Sequence, residues 1–222
     1  MIYWLKNDSH LQGVVEIPNR RHILSERRSE LKRHTKETQV DISLILDGIG
    51  YSNVDTPNGM LNHMVEQLAR HGLIDIELKA VGDISPGWHH LVEDVGILLG
   101  QAFRESIGDG TGIVRMGDSI IPLDETLVLV ALDVGGRPYA VIKASFKDPT
   151  IGDMPSDLVR HFLEVFALEA RINLHVRVIE GANDHHKAEA IFKGLARALR
   201  QAVAIDPRAS GEIPSTKGTI SS

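Results

Sequence analysis

Two copies of one motif, His89-His90-x-x-Glu93 and His185-His186-x-x-Glu189, are the residues of this chain best suited to chemistry. Positions i and i+4 share a helix face, so His89 with Glu93, and His185 with Glu189, can each grip one ion. His90 and His186 stand about 100° further round a helix, so each can reach a second ion, or an ion held by another copy of the chain. His63, in His63-Met-Val-Glu66, and His161, in His161-Phe-Leu-Glu164, extend the set, lying 26 positions before His89 and 24 before His185. Six imidazoles and two carboxylates suffice for two octahedral ions with positions left open for substrate. Nitrogen and oxygen donors without sulfur suit manganese, iron or zinc. A single His-His-x-x-Glu is equally well read as a polar helix start, where Glu is favoured by the dipole. Two copies at matching places of an internal repeat are not.

The elements that must position these residues repeat in the same order. Val40, Ile42, Leu44 and Leu46 alternate as a half-buried strand, with Tyr51–Thr56 as a second. Asn58 can cap a helix to about His71, Ile74 to Ala80 alternate as a strand, a loop spans Gly82 to Gly87, and a helix runs from His89 to about Ile107. In the second half, Thr126–Val134 and Arg137–Ser145 read as strands around the turn Gly135-Gly136. Ser156 can cap a helix to about Ala170, Leu174, Val176 and Val178 mark a strand, and a helix runs from His185 to about Val203. The fold class expected is α/β (α+β): two similar ββαβα half-domains from an internal duplication, with helices packed between two sheets. The boundaries expected are 1–32 for an N-terminal extension, 33–120 and 121–207 for the half-domains, and 208–222 for a C-terminal tail.

Composition narrows the classes. At 222 residues and 42% hydrophobic, the chain can fill one core or two half-domains sharing one. A net charge of -6 and a pI near 6.0 argue against a nucleic-acid binder. The absence of cysteine excludes disulfides, iron–sulfur clusters and thiol nucleophiles. No apolar run approaches the ~20 residues of a membrane span, and Met1 to Lys6 lacks a signal-peptide pattern, so a soluble cytoplasmic protein is expected.

Other residues invite a role. Arg115, in Gly112-Ile-Val-Arg-Met-Gly117, and Arg137, in Gly135-Gly-Arg-Pro138, sit beside glycines that let a ligand approach, and Arg grips phosphate bidentately. Either is as readily a solvated turn residue. Lys193, at i+4 from Glu189, puts a cation on the metal-binding face and suggests an anionic ligand, with a plain surface lysine as the alternative. Glu37, before a strand, reads as a general base or an exposed carboxylate. His71 ends a helix, where a cation is stabilising, and can also face the site. His175, on a strand, reads as structural.

The ordered motifs Thr35-Lys-Glu-Thr38, Asn62-His-Met64, Arg70-His-Gly72, His89-His-Leu-Val-Glu-Asp94, Gly108-Asp109, Ile113-Val-Arg115, Pro122-Leu-Asp-Glu125, Gly136-Arg-Pro138, His161-Phe162, Gly181-Ala-Asn-Asp-His-His186, Glu189-Ala-Ile-Phe-Lys193 and Pro214-Ser-Thr-Lys-Gly218 resemble the imidazoleglycerol-phosphate dehydratase family. The resemblance spans roughly Arg33 to Gly218. It implies a hydro-lyase of histidine biosynthesis that converts imidazoleglycerol phosphate to imidazoleacetol phosphate, with two manganese ions per site (zinc or iron as alternatives) that bind the substrate imidazole as imidazolate. The implied metal ligands are His63, His89, His90, Glu93, His161, His185, His186 and Glu189. The implied substrate and phosphate contacts are Gln67, His71, Arg115, Arg137, Lys193, Ser215 and Lys217, and the implied acid/base residue is Glu37. The family implies a large homo-oligomer with sites between subunits. The sequence departs from the family pattern at Asn62 (usually Asp), at Gly87-Trp88, at Leu91 and at Met116, none of them an implied ligand or anchor. Two rival readings use the same ligands: a two-metal phosphoester hydrolase, and a non-catalytic metal-stabilised homologue. Retention of Glu37, Arg115, Lys193 and Lys217 speaks against the second.

Overall fold

The computed structural model describes residues 27–82, 87–209 and 211–220. In chain order the first half comprises β1 (Arg28–His34), β2 (Thr38–Ile45), β3 (Ser52–Asp55), α1 (Gly59–Gly72), β4 (Asp75–Gly82) and α2 (His89–Ile107). The second comprises β5 (Met116–Leu123), β6 (Thr126–Asp133), β7 (Tyr139–Lys143), the short pair β8 (Thr150–Ile151) and β9 (Met154–Pro155), α3 (Asp157–Glu169), β10 (Asn173–Glu180) and α4 (Asp184–Val203). The two four-stranded sheets have matching orders, β1-β2-β4-β3 and β5-β6-β10-β7. In each, one edge strand (β3, β7) runs parallel to its neighbour and the other pairings are antiparallel. The duplication is therefore real at the level of topology.

Each four-stranded sheet carries one strand more than the three of ββαβα, and the second half adds the short pair β8 and β9. β1 shows a charged face (Arg28, Glu30, Lys32, His34) and turns inward only Ser29, Leu31 and Arg33, so its apolar period is faint. β5 buries Gly117, Ser119 and Ile121 while Met116, Asp118, Ile120 and Pro122 face out, so small or polar residues take two of its three buried places and its apolar period is faint too. Two boundaries move accordingly. The first sheet starts at Arg28, inside the segment expected to be an extension, and β5, beginning at Met116, belongs to the second sheet rather than to a first half ending at 120. The expected strands flanking Gly135-Gly136 are present but do not pair with each other, because β10 lies between β6 and β7.

Sheet alternation buries Val40, Ile42, Leu44, Ile76, Leu78 and Ala80 from one half and Val128, Val130, Leu132, Leu174 and Val176 from the other. The four helices fill the space between. α2 packs on β1 and β2, α4 packs on β5 and β6, and the helices then meet across the halves as α1 with α4 and α2 with α3. The second crossing is very close. A Cβ added at Gly100 would lie 2.7 Å from the Phe166 carbonyl oxygen, and one at Gly96 would lie 2.6 Å from Val165. Phe103, Phe162, Phe166 and Phe192 fill the centre. At this density a methyl-sized change is felt by the whole contact.

Candidate metal centre

Two of the four helices that carry candidate ligands, α1 and α4, are capped by a side chain at their starts. Asn183 caps α4, its Oδ1 accepting the His185 and His186 N–H groups at 2.9 and 3.2 Å, so the cap sets the backbone of the histidine pair itself. Asn58 caps α1 by accepting from Leu61 N at 2.8 Å, as the sequence suggested. Asp153, on the β8–β9 turn of the other half, adds two more bonds, taking Gly59 N–H at 2.7 Å and Met60 N–H at 2.9 Å. His63 then falls four residues after Gly59 of α1, and His161 four residues after Asp157 of α3. Ser156 stands at the start of α3 but makes no side-chain cap.

The candidate ligands converge in two trios, and the pairing crosses the halves. His63 of α1 meets His185 and Glu189 of α4; His161 of α3 meets His89 and Glu93 of α2. Within each trio the three ligand atoms lie within 4.8 Å of one another, a spacing one ion can bridge. In the first trio, His63 Nε2 is 3.3 Å and His185 Nε2 3.1 Å from Glu189 Oε2, and the two rings stack at 5.5 Å. In the second, His161 Nε2 lies 3.5 Å and His89 Nε2 3.9 Å from Glu93, with rings stacked at 4.6 Å. Among the described residues, His161 Nε2 and His90 Nδ1 are buried without any hydrogen-bond partner. An orphaned ring nitrogen is costly to bury, and a cation in the second trio would accept the His161 lone pair and remove that cost, so the residues of the trios fit a metal pair.

His90 and His186 join neither trio; each turns toward a glutamate instead. His90 Nδ1 lies 3.6 Å from Glu37 Oε2. His186 Nδ1 is 2.8 Å from Glu125 Oε2, and its Nε2 lies 3.7 Å from Asp124. The Asn183 N–H, then His186 and the Ala182 N–H, hold the Glu125 carboxyl far below the usual range, and the Glu125 hydrogen bond in turn raises His186.

Three of the expected substrate contacts surround the first trio. Lys193 Nζ is 2.6 Å from Glu189 Oε1. Burial pulls the Glu189 carboxyl up, but the bonds from Lys193 and His63 outweigh it and leave it at about 2. His71 shares a 3.2 Å hydrogen bond with Gln67 and is lowered by burial and then by the Lys193 and Arg197 cations. Arg197, one turn beyond Lys193, has no place in the expected list.

Arg115, Arg137, Ser215 and Lys217 lie elsewhere. Arg115 adopts φ 76° and fixes the end of α4, its N–H bonding the Ala202 carbonyl. Its guanidinium forks onto Asp133 at 2.7 and 2.9 Å and takes the Pro214 carbonyl at 2.9 Å, which docks the tail that carries Ser215 and Lys217. Arg137 is exposed, and its carbonyl accepts from Asn173. Ala202 is thirteen residues along α4 from Glu189, about 20 Å at 1.5 Å per residue. One chain's metal trio and its own Arg115 thus stand far apart.

The departures resolve into structural roles. Asn62 bonds Thr56 three times, through its N–H, hydroxyl and carbonyl, and so fixes the turn into α1 instead of touching a histidine. Leu91 is fully buried in the core, Trp88 packs partly against it, and Met116 faces out from β5. His175 is exposed on β10, outside both trios. Asp153, Arg197 and the Arg115–Asp133 pair went unnoticed in the sequence. Asp153 follows a glycine at a turn and carries no spacing signal toward α1. Glu125 was missed too, although a signal existed: Glu37-Thr38 and Glu125-Thr126 stand at the starts of matching strands.

The family model described as imidazoleglycerol-phosphate dehydratase matches residues 56–199. A protein of Dehalococcoides mccartyi named imidazoleglycerol-phosphate dehydratase is 52% identical over 197 residues, covering 89% of this chain and 99% of that one. A relative of the same name from Xanthobacter autotrophicus is 51% identical over 194 residues, covering 87% and 98%. The crystal structure of imidazoleglycerol-phosphate dehydratase from Staphylococcus aureus superposes with a TM-score of 0.74 at 36% identity, covering 81% of this chain and 99% of that chain. The Pyrococcus furiosus enzyme structure gives 0.73 at 34%, covering 85% and 99%.

Proposed function

The chain belongs to the imidazoleglycerol-phosphate dehydratase family, and from that premise we propose that it removes water from imidazoleglycerol phosphate to give imidazoleacetol phosphate, in the cytoplasm, with two manganese ions held by its histidine–glutamate trios. The observation that carries this reading is the convergence of His63, His185 and Glu189, and of His89, Glu93 and His161, with His90 and His186 to spare. No helix among the described residues is long and apolar enough to cross a membrane, which agrees with a cytoplasmic setting.

The chemical difficulty is that the proton to be removed sits on a carbon that no carbonyl activates. If held by His63, His185 and Glu189 and by His89, Glu93 and His161, the ions would supply Lewis-acid charge that stabilises negative charge developing on the substrate ring. The chain's own residues do the rest. Glu37, beside His90 and 57% exposed, takes the proton from carbon at a carboxylate oxygen and returns it to the departing hydroxyl, which leaves as water and gives an enol that tautomerises to the ketone. Lys193, His71 and Gln67 line the approach to the first trio. Arg115, Arg137, Ser215 and Lys217 anchor the phosphate and spend that binding energy on orientation. The span of about 20 Å between a trio and Arg115 on one chain is far longer than an imidazole carrying a three-carbon phosphate ester. The anchors of one chain therefore serve the metals of a neighbour, and His90 and His186 likewise serve ions held by another copy, in a large homo-oligomer.

The test is product identity. Manganese-loaded protein given imidazoleglycerol phosphate yields a ketone lighter by one water and still phosphorylated. Release of inorganic phosphate instead would transfer the trios to phosphoester hydrolysis.

A further inference from the structure

The duplication places a glutamate at the same point of each half. Glu37 immediately precedes Thr38, the first residue of β2, and Glu125 immediately precedes Thr126, the first residue of β6. Each faces the second histidine of its own half's pair, and each through Nδ1. Their surroundings differ. Glu125 Oε1 accepts the Asn183 and Ala182 N–H groups at 2.7 and 3.0 Å, which leaves Oε2 fixed 2.8 Å from His186 Nδ1. Among the described residues Glu37 makes no such pair of backbone bonds; its own N–H bonds Thr35 Oγ1, its Oε2 stops 3.6 Å short of His90, and His90 Nδ1 is left without a partner.

We infer that the two glutamates have parted in role: Glu125 is a positioning residue that fixes His186 with its proton on Nδ1 and its lone pair on Nε2, whereas Glu37 is kept loose enough to move a proton. The argument is one of donors and acceptors. A carboxylate that already accepts two backbone N–H groups can only accept from the imidazole as well, so Nδ1 must be the protonated nitrogen. Nε2 is then free to give its lone pair to a cation. A carboxylate behind a ligating histidine typically matters 10–100-fold in metal affinity. Among the described residues nothing fixes the ring of His90 in the same way, so its carboxylate neighbour remains available. This inference rests on the metal reading above.

Glu125→Gln separates positioning from plain structure. The two backbone N–H groups select the carboxamide oxygen, which turns the NH2 group toward His186. The ring must then accept at Nδ1 and carry its proton on Nε2, where the ion should bind. Glu125→Ala removes the preference without inverting it. In manganese titrations of the full-length protein followed by electron paramagnetic resonance, Glu125→Gln weakens one class of site at least about 10-fold, more than Glu125→Ala does, and Glu37→Gln leaves both classes near wild type. Equal manganese affinity in Glu125→Gln, or a larger loss in Glu125→Ala, overturns the inference. If Glu125→Ala does not fold, the cycle with His186→Ala decides. Glu125→Gln has no further effect on binding in the His186→Ala background, and an undiminished effect there overturns the inference. The tautomer is also read directly, without metal, from the imidazole nitrogen shifts of His186. These report Nδ1–H in the wild type and Nε2–H in Glu125→Gln, and Nε2–H in the wild type overturns the assignment. A wild-type chain that binds no manganese but shows the Nδ1–H tautomer sinks the metal reading while leaving the hydrogen-bond geometry standing.

Discussion

Replacing Asp153 by Ala tests how the two halves hold each other. Its carboxylate lies on the β8–β9 turn of the second half and takes the first two N–H groups of α1 in the first, at 2.7 and 2.9 Å. Those groups are donors that a helix start leaves without intrahelical partners. Loss of a side-chain cap costs about 1 kcal/mol, within a range of about 0.5–2. Loss of a negative charge beside the positive end of the helix dipole adds about 0.3–1. Water replaces part of both, because Gly59 is exposed. The sum is about 1.3–2 kcal/mol before that replacement and about 1–1.5 kcal/mol for Asp153→Ala after it. Asp153→Asn, which keeps one acceptor and loses the charge, costs about half as much. The assay is denaturant unfolding of metal-free protein at one fixed protein concentration, with the midpoint and slope compared among the three chains. His63 lies one turn into α1, so the same variant also weakens manganese binding at the trio of His63, His185 and Glu189, and leaves the trio of His89, Glu93 and His161 nearly intact. An Asp153→Ala protein within about 0.5 kcal/mol of wild type, the spread expected of an ordinary surface substitution, would refute the idea that this turn staples α1.

Three further outcomes follow from the same geometry. Gly100→Ala is net destabilising although alanine normally gains about 1 kcal/mol over glycine in a helix, because its Cβ would lie 2.7 Å from the Phe166 carbonyl and 2.9 Å from Glu169 Cβ; a raised unfolding midpoint would show that α2 and α3 are not in close contact. In metal-free protein His71 titrates below 6.5, and Lys193→Ala moves its midpoint upward by removing a neighbouring cation, as read from histidine proton shifts; a downward move refutes the placement. The sign carries over to stability: the part owed to neutral His71 is complete above its unfolded value near 6.5 and is lost as the pH falls toward its lower folded value. Glu37→Gln retains both metal ions and loses about 100-fold or more in turnover; full activity removes Glu37 from the mechanism.

The helices, and the convergence of His63, His89, Glu93, His161, His185 and Glu189, were legible because helix periodicity and residue spacing report the same thing. α2 begins at His89 and ends at Ile107 as the apolar pattern indicated, and Asn58 caps α1 where a short polar side chain precedes the pattern. The strands β1 and β5 were hidden for physical reasons. One turns a serine and an arginine inward between charged neighbours, and the other buries a glycine and a serine while Met116 and Ile120 face out. Pairing between the trios lay beyond a one-dimensional reading. Spacing shows that His63 and His161 are equivalent, but only the crossing of α1 with α4 and of α2 with α3 shows that each histidine serves the other half's motif. Asp153 was invisible because its partners lie more than ninety residues away. The departure at Asn62 read as a loss near a ligand, whereas its bonds to Thr56 make it part of a turn.

The most direct test of the whole account is a dehydration assay on metal-stripped protein with individual divalent ions added back. The account predicts no imidazoleacetol phosphate from the stripped protein, and recovery that saturates at two manganese ions per chain. Undiminished dehydration by protein shown to hold no metal would contradict it.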